Sequence, residues 1–202
     1  MALRNDSLHW GTVAKTLHWL MALLVITAAT IGWIMLTLDN SPTKVKIYSV
    51  HKSIGITVLA LVLMRLVWRA FDQPPLPIMS IPRWQRIAAI SVHVLLYLLM
   101  LAIPLSGWVF NSASNFPLQW FGLFHLPNIT GGANPELKAF ARAAHYWLFW
   151  ILVLAFCMHV AAALKHHFVD KDTVLLRMLP RRATTLSSAD HVIKTPHLPP
   201  EA

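Results

Sequence analysis

The chain has 202 residues, of which 56% are hydrophobic and only 12% charged, with a formal net charge of +9. Soluble domains carry about 25% charged residues. This composition, with a mean hydropathy of +0.56, therefore excludes an ordinary water-soluble fold and points to a lipid bilayer, not a nucleic acid, as the surroundings for which the chain is built. Four apolar stretches are long enough to cross a bilayer core, which takes about 20 residues. They predict an all-α membrane protein, a single four-helix transmembrane bundle. No internal repeat is apparent, which argues against a duplicated transporter.

The first stretch, 13–38, holds Lys15 and His18. It is too long for a signal-peptide core of about 7–15 residues and is expected to stay as a span. Asn40-Ser41-Pro42 breaks the chain before the second stretch, 47–70, which carries His51, Lys52, Arg65 and Arg69. Pro74-Pro75-Leu76-Pro77 and Pro82 then stiffen a connection. The third stretch, 87–110, contains His93 and Pro104, the latter expected to kink it. The following connection, 111–137, is the longest and is unusually apolar, with Leu118, Trp120, Phe121, Leu123 and Phe124. It is expected to lie in the membrane interface and cap one mouth of the bundle. The fourth stretch, 140–164, includes Arg142, His145, Cys157 and His159. Cys157 is the only cysteine, so it forms no intrachain disulfide and reads as a packing residue. A short amphipathic stretch, 174–179, precedes Arg181-Arg182. Residues 1–182 make one domain, and 183–202 form a polar tail expected to be mobile.

Positive charge orients the bundle. The side of both termini has Arg4, Lys15, Arg65, Arg69, Arg83, Arg86, Lys165, Lys171, Arg177, Arg181 and Arg182; the other has Lys44, Lys46, Lys52, Lys138 and Arg142. Both termini are therefore expected to be cytoplasmic, with the remaining loops facing the periplasm in a bacterium. Only Asp39 and Glu136 offset the cations of those loops, so the outer face is basic as well.

His145 and His159 stand fourteen residues apart in one apolar stretch. At about 100° per residue they fall about 40° short of four turns, so both imidazoles share a face, about 21 Å apart along the axis. Polar side chains inside a bilayer are costly and functional by default. A single membrane histidine is most simply an interhelical hydrogen bond, but here His18 matches the depth of His159 and His51 that of His145. Two level layers result, each with two imidazoles for the axial positions of a haem. A structural zinc site gathers four ligands in one place, which these separated pairs do not. A six-coordinate haem has no vacant position, so the pattern predicts electron transfer.

Other residues keep the same register. Gly32 is fourteen after His18, and Gly55 is four after His51; both sit where a porphyrin needs room. Arg65, fourteen after His51, places a cation at the terminal-side layer for a propionate. His93 enters at that same level, and spacing leaves it a competitor of His18 as the partner of His159. His166, seven after His159, continues the histidine face to the membrane boundary, beside His167, as a candidate quinone or proton-uptake site. His9, His125, His191 and His197 lie outside the spans.

Several segments together resemble the bacterial cytochrome b561 family: Thr16-Leu17-His18-Trp19, Val50-His51-Lys52-Ser53-Ile54-Gly55, Val92-His93-Val94-Leu95-Leu96-Tyr97, His145 and His159 at their spacing, Ala161-Ala162-Ala163-Leu164-Lys165-His166-His167, and the stretch from Lys171-Asp172 to Arg181. The resemblance covers about residues 8–182 and resides in the combination. It implies a di-haem b cytochrome of the inner membrane. His18 and His159 would bind the cytoplasmic haem b, and His51 and His145 the periplasmic one, which favours His18 over His93. Short members of the family include a superoxide oxidase that passes electrons from periplasmic superoxide to ubiquinone. The resemblance thus implies a superoxide:quinone oxidoreductase, with Lys52 and Arg142 among the cations that steer the anion. The competing reading is a cytochrome b subunit that anchors a partner dehydrogenase and relays its electrons to the quinone pool. A haem-free channel or scaffold is a third.

Overall fold

The computed structural model describes residues 2–76 and 81–179. Its order is α1 (Thr12–Thr37), α2 (Pro42–Phe71), α3 (Arg83–Ala113), β1 (Leu118–Trp120), β2 (Phe124–Leu126) and α4 (Pro135–Phe168). The expectations for Pro77, Arg181-Arg182 and the 183–202 tail lie outside the described residues. All four helices are long and apolar enough to cross a membrane, with mean hydropathies from 1.9 to 2.3 over their most apolar windows. Few of their side chains are buried, as expected of helices whose outer faces meet lipid rather than water.

The helices overrun the apolar stretches because capping chemistry, not hydropathy, sets where a helix begins. Ser41 Oγ accepts from the Lys44 N–H at 3.2 Å, and Pro42 occupies the first turn. The residues expected to break the chain therefore start α2. Asn134 Oδ1 does the same for the Leu137 N–H at 3.0 Å, with Pro135 next and Glu136 in the first turn. At the other end of α4, Lys165, His166 and His167 complement the macrodipole. α3 passes through Pro104 without a break in the helix.

Consecutive helices pack against each other, α1 on α2, α2 on α3 and α3 on α4. One core cluster joins Met21, Leu59 and Val62, with Tyr97 and Trp108 against it. A second joins Leu99, Leu152 and Ala155, with Val25 and Ile103 beside it. Val25, Val58 and Leu152 each lie seven residues beyond His18, His51 and His145 respectively. Seven residues are close to two helical turns, so these three form an apolar tier midway between the two histidine layers.

The long connection adds a feature to the all-α expectation. β1 and β2 form an antiparallel hairpin, Leu118 opposite Leu126 and Trp120 opposite Phe124. Phe121 and Gly122 turn it, with φ of 47° and 74°. The hairpin docks on α2 and α3. Ser53, wholly buried, accepts from the Phe121 N–H at 2.9 Å, and its hydroxyl hydrogen is shared between the Ser49 and Gln119 carbonyls. Trp120 Nε1–H donates to Thr57 Oγ1 at 3.0 Å.

The opposite end is tied by polar bonds between segments distant in sequence. The Asp72 carboxylate accepts from the Asn5 N–H and from Trp68 Nε1–H, the latter at 3.0 Å. Trp19 Nε1–H donates to the Met178 carbonyl at 2.9 Å, and Arg177 donates to the carbonyls of Leu8 and Leu76. Asp6 closes a turn here; the Leu8 N–H, chief among its donors, holds its carboxyl below the usual range. The segments on either side of the bundle are thus fastened to each other as well as to their helices.

Replacing Ser53 by Ala should leave the Phe121 N–H and the Gln119 carbonyl without their partner, at a cost of about 1–3 kcal/mol. Amide hydrogen exchange should then rise across the hairpin and stay unchanged in α4; unchanged exchange in the hairpin would refute Ser53 as its anchor.

Candidate functional site

The bundle brings histidines from three helices into two groups. At the hairpin side, His51 of α2 and His145 of α4 face each other with ring centres 6.2 Å apart and planes at 77°. At the terminal side, His18 of α1 and His159 of α4 repeat that separation, 6.2 Å, with planes at 66°. An imidazole nitrogen lies about 1.1 Å from its ring centre and about 2.0–2.1 Å from a metal it ligates. Two imidazoles in trans on one iron therefore have ring centres about 6.3 Å apart. Both pairs match that distance. His93 of α3 is closer to His159, at 5.1 Å between ring centres. Its Nδ1–H donates to the Ala89 carbonyl in its own helix.

The hairpin-side pair is held from behind. His51 Nδ1–H donates to the Ala28 carbonyl of α1 at 3.1 Å, and His145 Nδ1–H to the Ile103 carbonyl of α3 at 2.9 Å. Such bonds fix the tautomer and leave Nε2 for a metal. In each case a glycine lies four residues, about one helical turn, beyond the accepting carbonyl. A Cβ on Gly32 would stand 3.2 Å from His51 Cε1, and one on Gly107 would stand 3.2 Å from His145 Cε1. Gly32 therefore makes room for an imidazole, not for a porphyrin as its register had suggested. Gly107 was not singled out from the sequence; a glycine one turn after a carbonyl becomes a signal only when the facing histidine is known. Gly55 has nothing within 4 Å of a Cβ position.

At the terminal-side pair, Arg65 Nη1 lies 3.3 Å from His18 Nδ1, and its guanidinium is 5.6 Å from the centre of the Tyr97 ring. Among the described residues no carboxylate pairs with Arg65. A partly buried guanidinium without an anion suits a propionate. The donor set thus fits b-type haem: two facing pairs of imidazoles that would hold it, with one cation at the level of the terminal-side pair.

His166 is turned toward the segment after α4. Its Nδ1 is 2.6 Å from Asp172 Oδ2, and Asp172 also accepts from the Val174 N–H. Asp170 lies near the same nitrogen but is paired with Lys165 Nζ at 2.6 Å. His166, Asp170 and Asp172 have ligand atoms within 4.8 Å of each other; the Lys165 ammonium already occupies the place of a cation there. Sequence reasoning found His166 but not Asp172, which the chain brings back after a turn.

Of the hairpin-side cations, Lys52 donates to Asn111 Oδ1 at 3.1 Å and Lys44 to the Leu38 carbonyl at 2.6 Å. Lys46, Lys138 and Arg142 are exposed. Among the described residues, none of these five forms an ion pair with a carboxylate.

Long apolar helices with imidazole pairs stacked across their length define a membrane cytochrome of the b type. The comparisons agree. The family model described as prokaryotic cytochrome b561 matches residues 9–181, and the chain belongs to that family. Its function is accordingly electron transfer in a membrane with b-type haem. The chain is 37% identical over 185 residues to cytochrome b561 homolog 2 of Escherichia coli, covering 91% of this chain and 98% of that protein. It is 34% identical over 170 residues to cytochrome b561 homolog 1 of the same organism, covering 82% and 94%. A protein of Yersinia pestis named probable superoxide oxidase CybB is 32% identical over 170 residues, covering 82% and 93%.

Gly107→Val and Gly32→Val should each push the facing imidazole off its carbonyl. Both variants should lose haem absorbance from the hairpin-side layer alone, measured against a His145→Ala reference. Full haem content in both would show that the rings do not depend on these glycines.

Proposed function

We propose that this chain carries electrons across the bacterial inner membrane from periplasmic superoxide to ubiquinone, using two b haems. His18 and His159 hold the cytoplasmic haem, with Arg65 at a propionate, and His51 and His145 hold the periplasmic one. One observation carries the reading: two imidazole pairs with the same 6.2 Å separation, one toward each end of the bundle. The charge distribution supports cytoplasmic termini. The name of the Yersinia pestis relative supports the choice of superoxide.

When bound, a bis-histidine haem supplies one-electron transfer with no open coordination position. The chain's own residues supply the rest. Lys46, Lys138 and Arg142, which form no ion pair among the described residues, draw an anion toward the hairpin side. Lys52 adds its charge from a fixed place against Asn111. There, two superoxide anions give up one electron each and leave as dioxygen. At the terminal side, one ubiquinone takes up two electrons and two protons and leaves as the quinol. Asp172 fixes the His166 ring through Nδ1–H, so that Nε2 is the atom left to bond a quinone oxygen and to carry a proton to it. The Val25, Val58 and Leu152 tier keeps water from the space between the layers.

The purified protein should contain two low-spin b haems per chain. His145→Ala should remove mainly the hairpin-side haem and His159→Ala the terminal-side haem, while His93→Ala should leave both. A single haem in the unaltered chain would defeat the two-layer assignment. Loss of the terminal-side haem in His93→Ala but not in His18→Ala would move the ligand to α3.

Stopped-flow reduction by superoxide should slow as salt rises, because the Debye length falls from about 10 Å at 0.1 M to about 3 Å at 1 M. It should slow further in Arg142→Glu. His166→Ala should retard reoxidation by quinone while haem content and reduction rate stay as before. No reduction by superoxide at all would favour an anchor subunit that needs a partner dehydrogenase.

A further inference from the structure

The two histidine layers differ in what stands behind their imidazoles. We infer that Arg65, together with the lack of carbonyl anchors on His18 and His159, gives the terminal-side haem the higher reduction potential, so that the chain itself directs electrons from the hairpin side to the terminal side. The inference rests on the two-haem reading above.

On the hairpin side both rings donate Nδ1–H to backbone carbonyls, of Ala28 and of Ile103. Donation to an acceptor makes an imidazole more basic and a stronger electron donor to its metal. A stronger donor favours the ferric state and lowers the potential. Two such bonds act together on one iron, and Gly32 and Gly107 let both rings approach their carbonyls. Among the described residues, no cation touches either ring.

On the terminal side neither ring nitrogen bonds a carbonyl among the described residues. The hydrogen-bond contact of His18 Nδ1 is the Arg65 guanidinium at 3.3 Å, which is a donor and accepts nothing. His159 has ring contacts with His18 and His93 but, among the described residues, no hydrogen bond through either nitrogen. These axial ligands are therefore the less basic pair. Arg65 adds a positive charge in a low-dielectric place, where charge acts strongly on a neighbouring redox centre. Arg69 follows one turn later on α2. Asp72, two turns from Arg65, is occupied by Asn5 and Trp68. Reduction adds an electron, so a nearby cation favours the ferrous state. A His18 that ligates through Nε2 carries its proton on Nδ1 and repels the guanidinium, so Arg65 would turn toward a propionate, and neutralising the propionate has the same sign.

Ligand basicity and fixed charge thus act in the same direction. An electron entering beside His51 and His145 finds the more favourable place about 21 Å away along the helix axes. The Arg65–Tyr97 contact keeps the guanidinium at this level and makes Tyr97 a positioning residue for it.

The test is an optical redox titration of the full-length, haem-loaded protein in detergent, with haem content measured on the same samples. Two one-electron waves are expected. His51→Ala, retaining one haem, should keep the higher wave, and His18→Ala should keep the lower. Arg65→Gln should move only the higher wave downward, by at least a tenfold change in the oxidised-to-reduced ratio at fixed potential, which is about 59 mV for a one-electron couple. Arg65→Lys, which keeps the charge, should recover most of that shift. Coincident waves, or a higher wave that disappears in His51→Ala and survives in His18→Ala, would overturn the ranking even if Arg65→Gln failed to hold haem. An Arg65→Gln protein with both waves unmoved would remove Arg65 as the cause. A haem count of one in the unaltered chain would instead strike the two-haem reading itself.

Discussion

Everything in this bundle is arranged around one distance. Two imidazoles that share an iron must stand with ring centres about 6.3 Å apart, and helices packed closely along their whole length do not leave that gap. The pairs are accommodated by using different partners at the two ends. α4 supplies one histidine to each pair, while α1 supplies the other at the terminal side and α2 at the hairpin side. α4 thus serves as a common rail, and its fourteen-residue histidine spacing sets the separation of the layers. The extensive packing of α4 on α3 holds that rail without closing the spaces facing α1 and α2.

Between the layers the bundle is apolar, and at both ends it is polar and cross-linked. The central tier of Val25, Val58 and Leu152 falls at half the histidine repeat, so one helical periodicity generates histidine, spacer and histidine in turn. The ends are closed in different ways. A hairpin fastened to Ser53 and Thr57 covers α2 and α3 on one side. On the other, Asp72 and Arg177 bind the segments flanking the helices. At the terminal end Trp19 and Arg177 tie the flanks of α1 and α4 together, and along the helices that seam is bridged by rings, His18 on His159 and Trp33 on Trp150.

The two histidine pairs are alike in separation and unlike in surroundings. The carbonyls behind His51 and His145 come from neighbouring helices and cost no polar side chain in the membrane. Arg65, by contrast, is a charged residue in a helix of mean hydropathy 1.9, and such a group persists in a span when it faces the bundle interior and has a task there.

Much of this was legible in the residues alone. The four spans, the two histidine levels, the Arg65 level and the position of His166 all follow from helical periodicity and apolar length, which are local properties of the chain. Helix ends were misplaced where Ser41 and Asn134 cap beyond the apolar stretch, since hydropathy is blind to hydrogen bonds. What one helix presents to another is not local. The sequence left His18 and His93 at the same level as His159, and only the packing sets one ring at 6.2 Å and the other at 5.1 Å. Likewise Gly32 faces His51, Gly107 faces His145 and Asp172 returns to His166 because of how helices rotate and where a turn carries the chain. Periodicity determines which residues share a face; the rotation of each helix against its neighbours decides what that face meets.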